Sequence, residues 1–220
     1  MARRDDMILD EHINMLRGAE LQFRLACAVH LATTNRKQPL ELPIVWTHGQ
    51  HQVTYEEIAL TLEGADFAAM LLKRAATYLM AVQIQEALTA LANNDARNHT
   101  NADVRSSFEI ARLIRNGFAH HPLQPKWMID PPCRNQVYSV DKIIELDTTH
   151  LDGEGFDWRH YGGPLALLRL SEFVRTKLLG DSGSFGSKRD RQSIPTPEAH
   201  YYQQGHLILR GLGVSKSPKD

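Results

Sequence analysis

An arginine and a histidine that lie close together in the sequence are the residues of this chain best suited to chemistry. Arg115 and His120 fall in a segment with helical periodicity, and Asn116 directly follows the arginine. A histidine titrates near neutral pH, so it can take a proton from a ribose 2′-hydroxyl or give one to a departing 5′-oxygen. An arginine stays charged and holds phosphate oxygens with a planar fork of donors. The pair therefore has the minimum equipment for metal-free transesterification of a phosphodiester.

A helical wheel places the polar residues of this segment on different sides. At about 100° per residue, Arg112, Asn116 and His120 form one polar stripe opposite the apolar residues of the segment. Arg115 lies on the shoulder of the apolar side, roughly 140° from His120. In a regular helix these two side chains would not point at the same substrate atom. Either the helix is distorted near Gly117, or the pair meets its substrate in a wider cleft that includes a second subunit.

The same residues also have a purely structural interpretation. Arg115 could cap helix carbonyls or pair with an acid. His120 and His121 could be ordinary residues of a helix end, where their charge complements the macrodipole. Spacing alone favours this structural interpretation over a catalytic one. The surrounding sequence must therefore be considered before a catalytic role is assigned.

The segment 115–120 has the sequence Arg-Asn-Gly-Phe-Ala-His. It resembles the signature of the HEPN superfamily, in which an arginine, commonly followed by asparagine, precedes a histidine with four residues between them. These proteins are α-helical bundles, and many are metal-independent endoribonucleases of toxin-antitoxin, phage-defence and RNA-processing systems. The surrounding sequence, including Trp127, 146–148 and 151–153, looks like a bacterial stand-alone branch often found on plasmids. The likeness extends loosely from the second predicted helix to about residue 179.

The resemblance implies roles for the residues of the motif. Arg115 and His120 would form the catalytic pair, with Asn116 as a polar helper. We expect Arg112 and His121 to contact the substrate. The implied substrate is RNA, no metal or cofactor is needed, and the protein would act as a toxin or defence effector. The family usually forms homodimers in which two copies of the motif face one another across a cleft, which would account for the divergence on the wheel.

One departure from a related group concerns regulation. In that group one residue and then a tyrosine follow the histidine, and a partner nucleotidyltransferase adenylylates the tyrosine. This chain has Pro122 at that position. Regulation of that kind is therefore not implied, and the identity of a cognate antitoxin stays open.

Composition limits the class of protein. The 220 residues carry a formal net charge of -1 and the isoelectric point is near 6.8, so RNA must be met by a local patch rather than by a broad basic face. Cys27 and Cys133 lie far apart without metal-type spacing, which indicates a reducing compartment and two ordinary thiols. No window approaches eighteen uninterrupted apolar residues, so we expect a soluble, cytoplasmic protein that does not contact a membrane.

The spacing of apolar residues predicts a mainly α protein, because they recur at intervals of three, four and seven. By the resemblance this would be a HEPN-like helical bundle of about four core helices, formed by residues 1–180. The tail, 181–220, is poor in apolar residues, and we expect it to be disordered apart from a short sticky segment at 206–209. The four predicted helices span residues 6–31, 66–93, 102–121 and 164–179.

A small β excursion at about 126–147 is predicted before the last helix. Residues 126–129 and 137–140 are β-prone and are joined by a proline-containing connection, which suggests a hairpin. Residues 141–147 could form a further strand or a short turn. Two elements are also predicted between the first two helices: a short strand at 42–46 and a capping-box turn at 54–57.

Three further groups of polar residues are weaker candidates for a site. His48 and His51 could seed a metal site, but no other ligand of matching spacing lies beside them. Glu11 and His12 of the first helix could approach the motif in a bundle, although acidic residues near a helix start usually serve the dipole. A polar cluster in a glycine-rich loop could bind a divalent ion or line the cleft, but a solvated loop is the more common explanation. This cluster comprises Asp147, His150, Asp152, Glu154, Asp157 and His160.

Two other functions stay open at this point. A non-catalytic HEPN module could use the same residues only to recognise RNA, a nucleotide or a partner protein. A helical interaction protein could use Arg115 and His120 merely to complete internal hydrogen bonds. Burial of both side chains against acids or carbonyls would favour the latter.

Overall fold

Helices make up most of the molecule, as the periodicity predicts. The computed structural model describes residues 4–36, 45–54 and 60–183. Contacts gather Met1–Asp181 into one compact unit, and the predicted tail from residue 184 onward lies outside the described residues. The helices are α1 (Arg4–Arg36), α2 (Leu62–Leu91), α3 (Ala102–Ala119) and α4 (Pro164–Phe173). The strands are β1 (Val45–His48), β2 (His51–Thr54), β3 (Val137–Val140) and β4 (Ile144–Asp147).

The helices pack around α2, which contacts α1, α3 and α4. Thr61 caps its start, since the threonine hydroxyl accepts a hydrogen bond from the Gly64 amide at 3.0 Å. Buried side chains such as Met80, Ile84 and Leu88 fill the core. The segment Glu63–Leu91 is long and apolar enough to cross a membrane by length and composition alone. Its packing against three helices is compatible with the core helix of a soluble protein.

The last helix is tied to the first by a buried ion pair. After Phe173 the chain continues as a π-helical turn, Val174–Leu178, which the sequence did not predict. There the guanidinium of Arg175 bonds the Glu20 carboxylate of α1 at 3.1 Å, and both side chains are almost fully buried. Gly180, with a φ of 76°, ends the segment as predicted.

Helix α3 is regular through the candidate motif. It begins at the Asn101 cap, whose side chain accepts from the Asp103 amide at 2.8 Å, and it ends at Ala119. Gly117 lies inside the helix, and its carbonyl accepts a hydrogen bond from the Lys126 amide at 3.1 Å. The helix is therefore not distorted near Gly117, and the divergence of the motif's side chains on the wheel is a property of the folded chain.

The β excursion is confirmed, but its predicted pairing is wrong. Strand β3 pairs antiparallel with β4, Val140 opposite Ile144, rather than with residues 126–129. Residues 126–129 form only an isolated bridge, between Lys126 and Gly155. The connection explains the difference, because Pro131–Cys133 forms a 3-10 turn that does not return the chain as a hairpin would. Asp141 and Lys142 instead adopt positive φ angles of 34° and 57°, which suit a tight hairpin turn.

The region between α1 and α2 forms a second small hairpin where it is described. Strand β1 pairs with β2, and His48 lies opposite His51 at the turn. The predicted strand at 42–46 overlaps β1 by two residues, and its first three residues lie outside the described part of the chain. The predicted capping-box turn likewise falls outside it, apart from Thr54.

Candidate functional site

Arg115 faces an open pocket between three helices. It projects from the last part of α3 toward one face of α2, and α1 closes the other side. The pocket has a volume of about 440 Å³, and both polar and apolar groups form its wall. The lining residues are His12, Val82, Gln85, Glu86, Thr89, Ala90, Asn94 and Arg115.

The guanidinium of Arg115 is half-buried and has no acidic partner among the described residues. Its Nη2 donates to the Asn116 side-chain oxygen at 3.0 Å, and no carboxylate of the described chain lies within ion-pairing distance of it. Asn116 thus holds the arginine in place without neutralising it, which is compatible with the helper role expected from the sequence. The positive charge of Arg115 is left to meet an anion in the pocket.

Arg112, one turn earlier, has different surroundings. Its side chain is only 8% exposed and bonds Glu109 at 2.8 Å, and it also bonds Asp130 and the Cys133 sulfur. Burial by itself would lower the pKa of Arg112, but the hydrogen bonds and charges of Glu109 and Asp130 raise it above the ordinary value. Both carboxylates neutralise the guanidinium, and Arg97 adds a further contact to Glu109 at 2.9 Å.

This network corrects the helical-wheel prediction for Arg112. The wheel considers one helix alone and put Arg112 on an open polar stripe. In the folded chain the segment around Asp130 and Cys133 covers that part of α3 and buries the side chain. Arg112 is therefore engaged in holding this segment to the helix, and the structure does not bring it to the pocket of Arg115.

His120 and His121 lie at the exposed end of α3. His120 is the residue at which the helix terminates, and both side chains are exposed to solvent. Neither makes a side-chain hydrogen bond or ion pair to the described residues. An apolar pocket of about 450 Å³ lies next to them, and its lining does not include Arg115. This pocket is lined by Leu71, Ala75, Tyr78, Phe118, Ala119, Pro122 and Leu123.

The folded chain brings Arg115 to a different histidine. His12 of α1 lines the same pocket as Arg115, whereas His120 does not. The sequence analysis named His12 together with Glu11 as residues of the first helix that could approach the motif, and of the two His12 lines this pocket while Glu11 does not. Periodicity can place a residue at the edge of a helix face, but it cannot say which helix that edge will meet.

The polar loop between β4 and α4 is organised by its own turns. Asp147 accepts from the Thr149 amide at 2.8 Å, and Asp152 bonds Arg134 at 2.6 Å. The side-chain and backbone hydrogen bonds from Arg159 lower the pKa of Asp157 to about 2. These carboxylates satisfy local donors. No group of three or more His, Cys, Asp or Glu that could hold a metal was found in the part of the chain that is described.

His160, the last member of that cluster, is joined to the core. The buried indole of Trp127 donates from Nε1 to Nδ1 of His160 at 2.8 Å. This bond places the proton of the neutral imidazole on Nε2. Trp127 also contacts the Phe156 ring, with centroids 5.0 Å apart, so the loop is tied to the bundle by aromatic packing.

Comparisons of the chain with family models, with curated proteins and with solved structures found no match.

Proposed function

We propose that this protein is a metal-independent endoribonuclease of the HEPN type. It would cleave RNA by attack of a ribose 2′-hydroxyl on the adjacent phosphorus, leaving a 2′,3′-cyclic phosphate and a 5′-hydroxyl. The observation that supports this most is Arg115, a guanidinium without a carboxylate partner among the described residues, beside an open pocket. Arginines that serve a fold are typically paired with acids, as Arg112 is.

In this mechanism Arg115 binds the phosphate and stabilises the charge that develops on its oxygens in the transition state. His120 takes the proton from the 2′-hydroxyl or gives one to the leaving 5′-oxygen. Its exposure leaves the imidazole accessible to a substrate. Asn116 keeps the guanidinium oriented through its 3.0 Å hydrogen bond, and His121 contacts the substrate alongside.

A homodimer is part of the proposal, because His120 of the same chain does not line the pocket of Arg115. The exposed apolar side chains near His120 suit a contact between subunits, since Leu123 is 63% exposed and Tyr78 is 38% exposed. A second copy would place a partner's motif across a shared cleft. The protein would work in the cytoplasm as a toxin or defence effector, with a cognate antitoxin as a further partner.

A non-catalytic module is the second candidate, and the same separation favours it. An arginine in a pocket and a histidine outside it can recognise RNA, a nucleotide or a protein without performing chemistry. The interaction-protein hypothesis has less support, because it requires both side chains to be buried: Arg115 bonds the Asn116 side chain, but His120 is exposed and makes no side-chain hydrogen bond to the described residues.

The test is RNA cleavage by the purified protein in the presence of a chelator. We expect products with 2′,3′-cyclic phosphate ends and loss of cleavage in His120→Ala with an unchanged fold. His150→Asn is the matched control, because it removes an exposed histidine from a left-handed turn that asparagine tolerates. Cleavage by His120→Ala at the parent rate would remove His120 from the mechanism. RNA binding without cleavage by the parent would support the non-catalytic module.

A further inference from the structure

The pocket of Arg115 carries a second basic group from a different helix. His12 of α1 and Arg115 of α3 both line it, and neither is paired with an acid among the described residues. Two basic side chains at one place favour an anionic ligand over a neutral one. Two basic side chains supplied by separate helices can surround an anion from two sides, which a single helix cannot do.

Polar side chains line the pocket beside these two basic residues. Gln85 and Thr89 of α2 and Asn94 of the following turn contribute to its wall. Amide groups of this kind pair with the hydroxyl and edge groups of a nucleoside.

The dimensions of the pocket fit a ligand larger than phosphate. Its volume of about 440 Å³ lies within the usual range for small-molecule sites. A neighbouring groove of about 340 Å³ shares Thr89, Ala90 and Asn94 with it and continues to Ile8 and Leu9 of α1. The two share part of their walls, and the groove adds aliphatic side chains of α1 to the residues of α2.

Glu86 is the one carboxylate that lines the pocket, and it sets the orientation of an anion. It accepts a hydrogen bond from Gln83 at 3.3 Å and makes no ion pair with the described residues. Its charge repels a phosphate, so the phosphate belongs on the Arg115 side. Removal of this charge should therefore strengthen the binding of an anion.

We propose that this pocket is a nucleotide-binding site complete within one protomer. Arg115 and His12 contact the phosphate, while Gln85 and Asn94 bond the attached nucleoside. The ligand class is a nucleoside 3′-phosphate, alone or as part of an RNA strand. The inference rests on the proposed function for its ligand class, but binding at the pocket can be measured without cleavage.

The experiment is calorimetric titration of the full chain with the four nucleoside 3′-monophosphates, with inorganic phosphate and with adenosine alone. The His12 ring resonances are followed by NMR in parallel. We expect at least one nucleotide to bind more tightly than phosphate or adenosine and to shift the His12 resonances. His12→Ala and Arg115→Ala should each weaken binding about tenfold or more, since a hydrogen bond to a charged group contributes about 1.5–3 kcal/mol. Glu86→Gln should tighten binding, and His150→Asn should leave it unchanged.

Two further variants test whether weaker binding results merely from loss of the fold. His12→Gln and Arg115→Gln keep the size and polarity of the side chains, and thermal unfolding confirms that each is folded. Unchanged nucleotide affinity in both would overturn the proposal. So would the absence of binding of every probe at millimolar concentration, or equal affinity for phosphate and nucleotide.

The outcomes also separate this site from the proposed activity. Nucleotide binding that depends on His12, in a protein that never cleaves RNA, would support the site and refute the ribonuclease. RNA cleavage that depends on His120, with nucleotide affinity unchanged by replacement of His12, would support the ribonuclease and refute the site.

Discussion

Arg115 of α3 and His12 of α1 line the same pocket, although α1 and α3 are separated in the chain by β1, β2 and α2. His120, which is close to Arg115 in sequence, does not line that pocket. A helix directs neighbouring residues to different sides, whereas packing of helices joins residues that are far apart in the chain. The chemistry available to Arg115 in one protomer is therefore set by α1 and α2.

Replacement of Arg115 should remove function and leave the fold intact. For Arg115→Ala we expect a loss of RNA cleavage of about 10²-fold or more, since a donor that stabilises a developing charge has been removed. The free energy of unfolding should change by less than about 0.5 kcal/mol, because the side chain makes no ion pair in the described chain. Cleavage with chelator and urea unfolding measure the two quantities. Arg169→Ala, at an exposed position of α4, is the control. A marked loss of stability in Arg115→Ala would point to a structural arginine instead.

Replacement of Arg112 should have the opposite effect. Arg112→Ala leaves Glu109 buried with Arg97 as its remaining ion-pair partner, and removal of one member of a buried pair costs about 3–5 kcal/mol. Because Asp130 is 45% exposed, we expect the lower end of that range. Urea unfolding gives the value, and the double variant Arg112→Met with Glu109→Gln should recover part of it. A loss below about 1 kcal/mol would show that the network contributes little.

Gly117 should not tolerate a side chain. A Cβ at this position would lie 3.0 Å from the Lys126 carbonyl oxygen, which belongs to backbone that also donates to the Gly117 carbonyl. The strain, about 1–3 kcal/mol, exceeds the gain of about 1 kcal/mol in helix propensity, so Gly117→Ala should be less stable by about 1 kcal/mol. Gly18→Ala is the control, because nothing lies within 4 Å of its Cβ in α1, and it should gain about 0.5–1 kcal/mol. Thermal unfolding compares the two. A stabilising Gly117→Ala would mean that residues 126–127 can move away from α3.

Asp157 should make stability depend on acid pH. The hydrogen bonds from Arg159 lower its pKa to about 2 in the folded protein, below the ordinary value of about 3.9 in an unfolded chain. A carboxyl whose pKa is lowered by folding stabilises the protein at pH values above its pKa in the unfolded state. This contribution is lost as the pH falls through its pKa in the folded state. Asp157→Asn should therefore be less stable than the parent at pH 7, with a difference that shrinks between about pH 4 and pH 2.

Thermal unfolding of the parent and Asp157→Asn across that range measures the effect. Glu145→Gln, which removes an equal charge from an exposed position of β4, is the matched control. The explanation fails if the difference between the parent and Asp157→Asn stays constant or grows on acidification.

Much of the fold follows from local patterns. The helices at 66–93 and 102–121 are predicted within a few residues, because long stretches of apolar periodicity are bounded by asparagines and by Pro122. Such local patterns did not predict which strand pairs with β3. Residues 126–129 do alternate between exposed and buried side chains, with Trp127 and Ile129 in the core, but a period of two does not specify a partner.

The sequence by itself determined the helical class, the position of the motif near the end of α3 and the divergence of Arg115 from His120. It placed Arg112 on the polar stripe and Arg115 on the shoulder of the apolar side, but it could not tell which of the two guanidinium groups would be buried against acids. Tertiary structure decided that Arg112 is buried against Glu109 and Asp130, while Arg115 faces a pocket with His12. The physical reason is that burial and charge pairing depend on the segments that pack over a helix, and no local period encodes which segments these are.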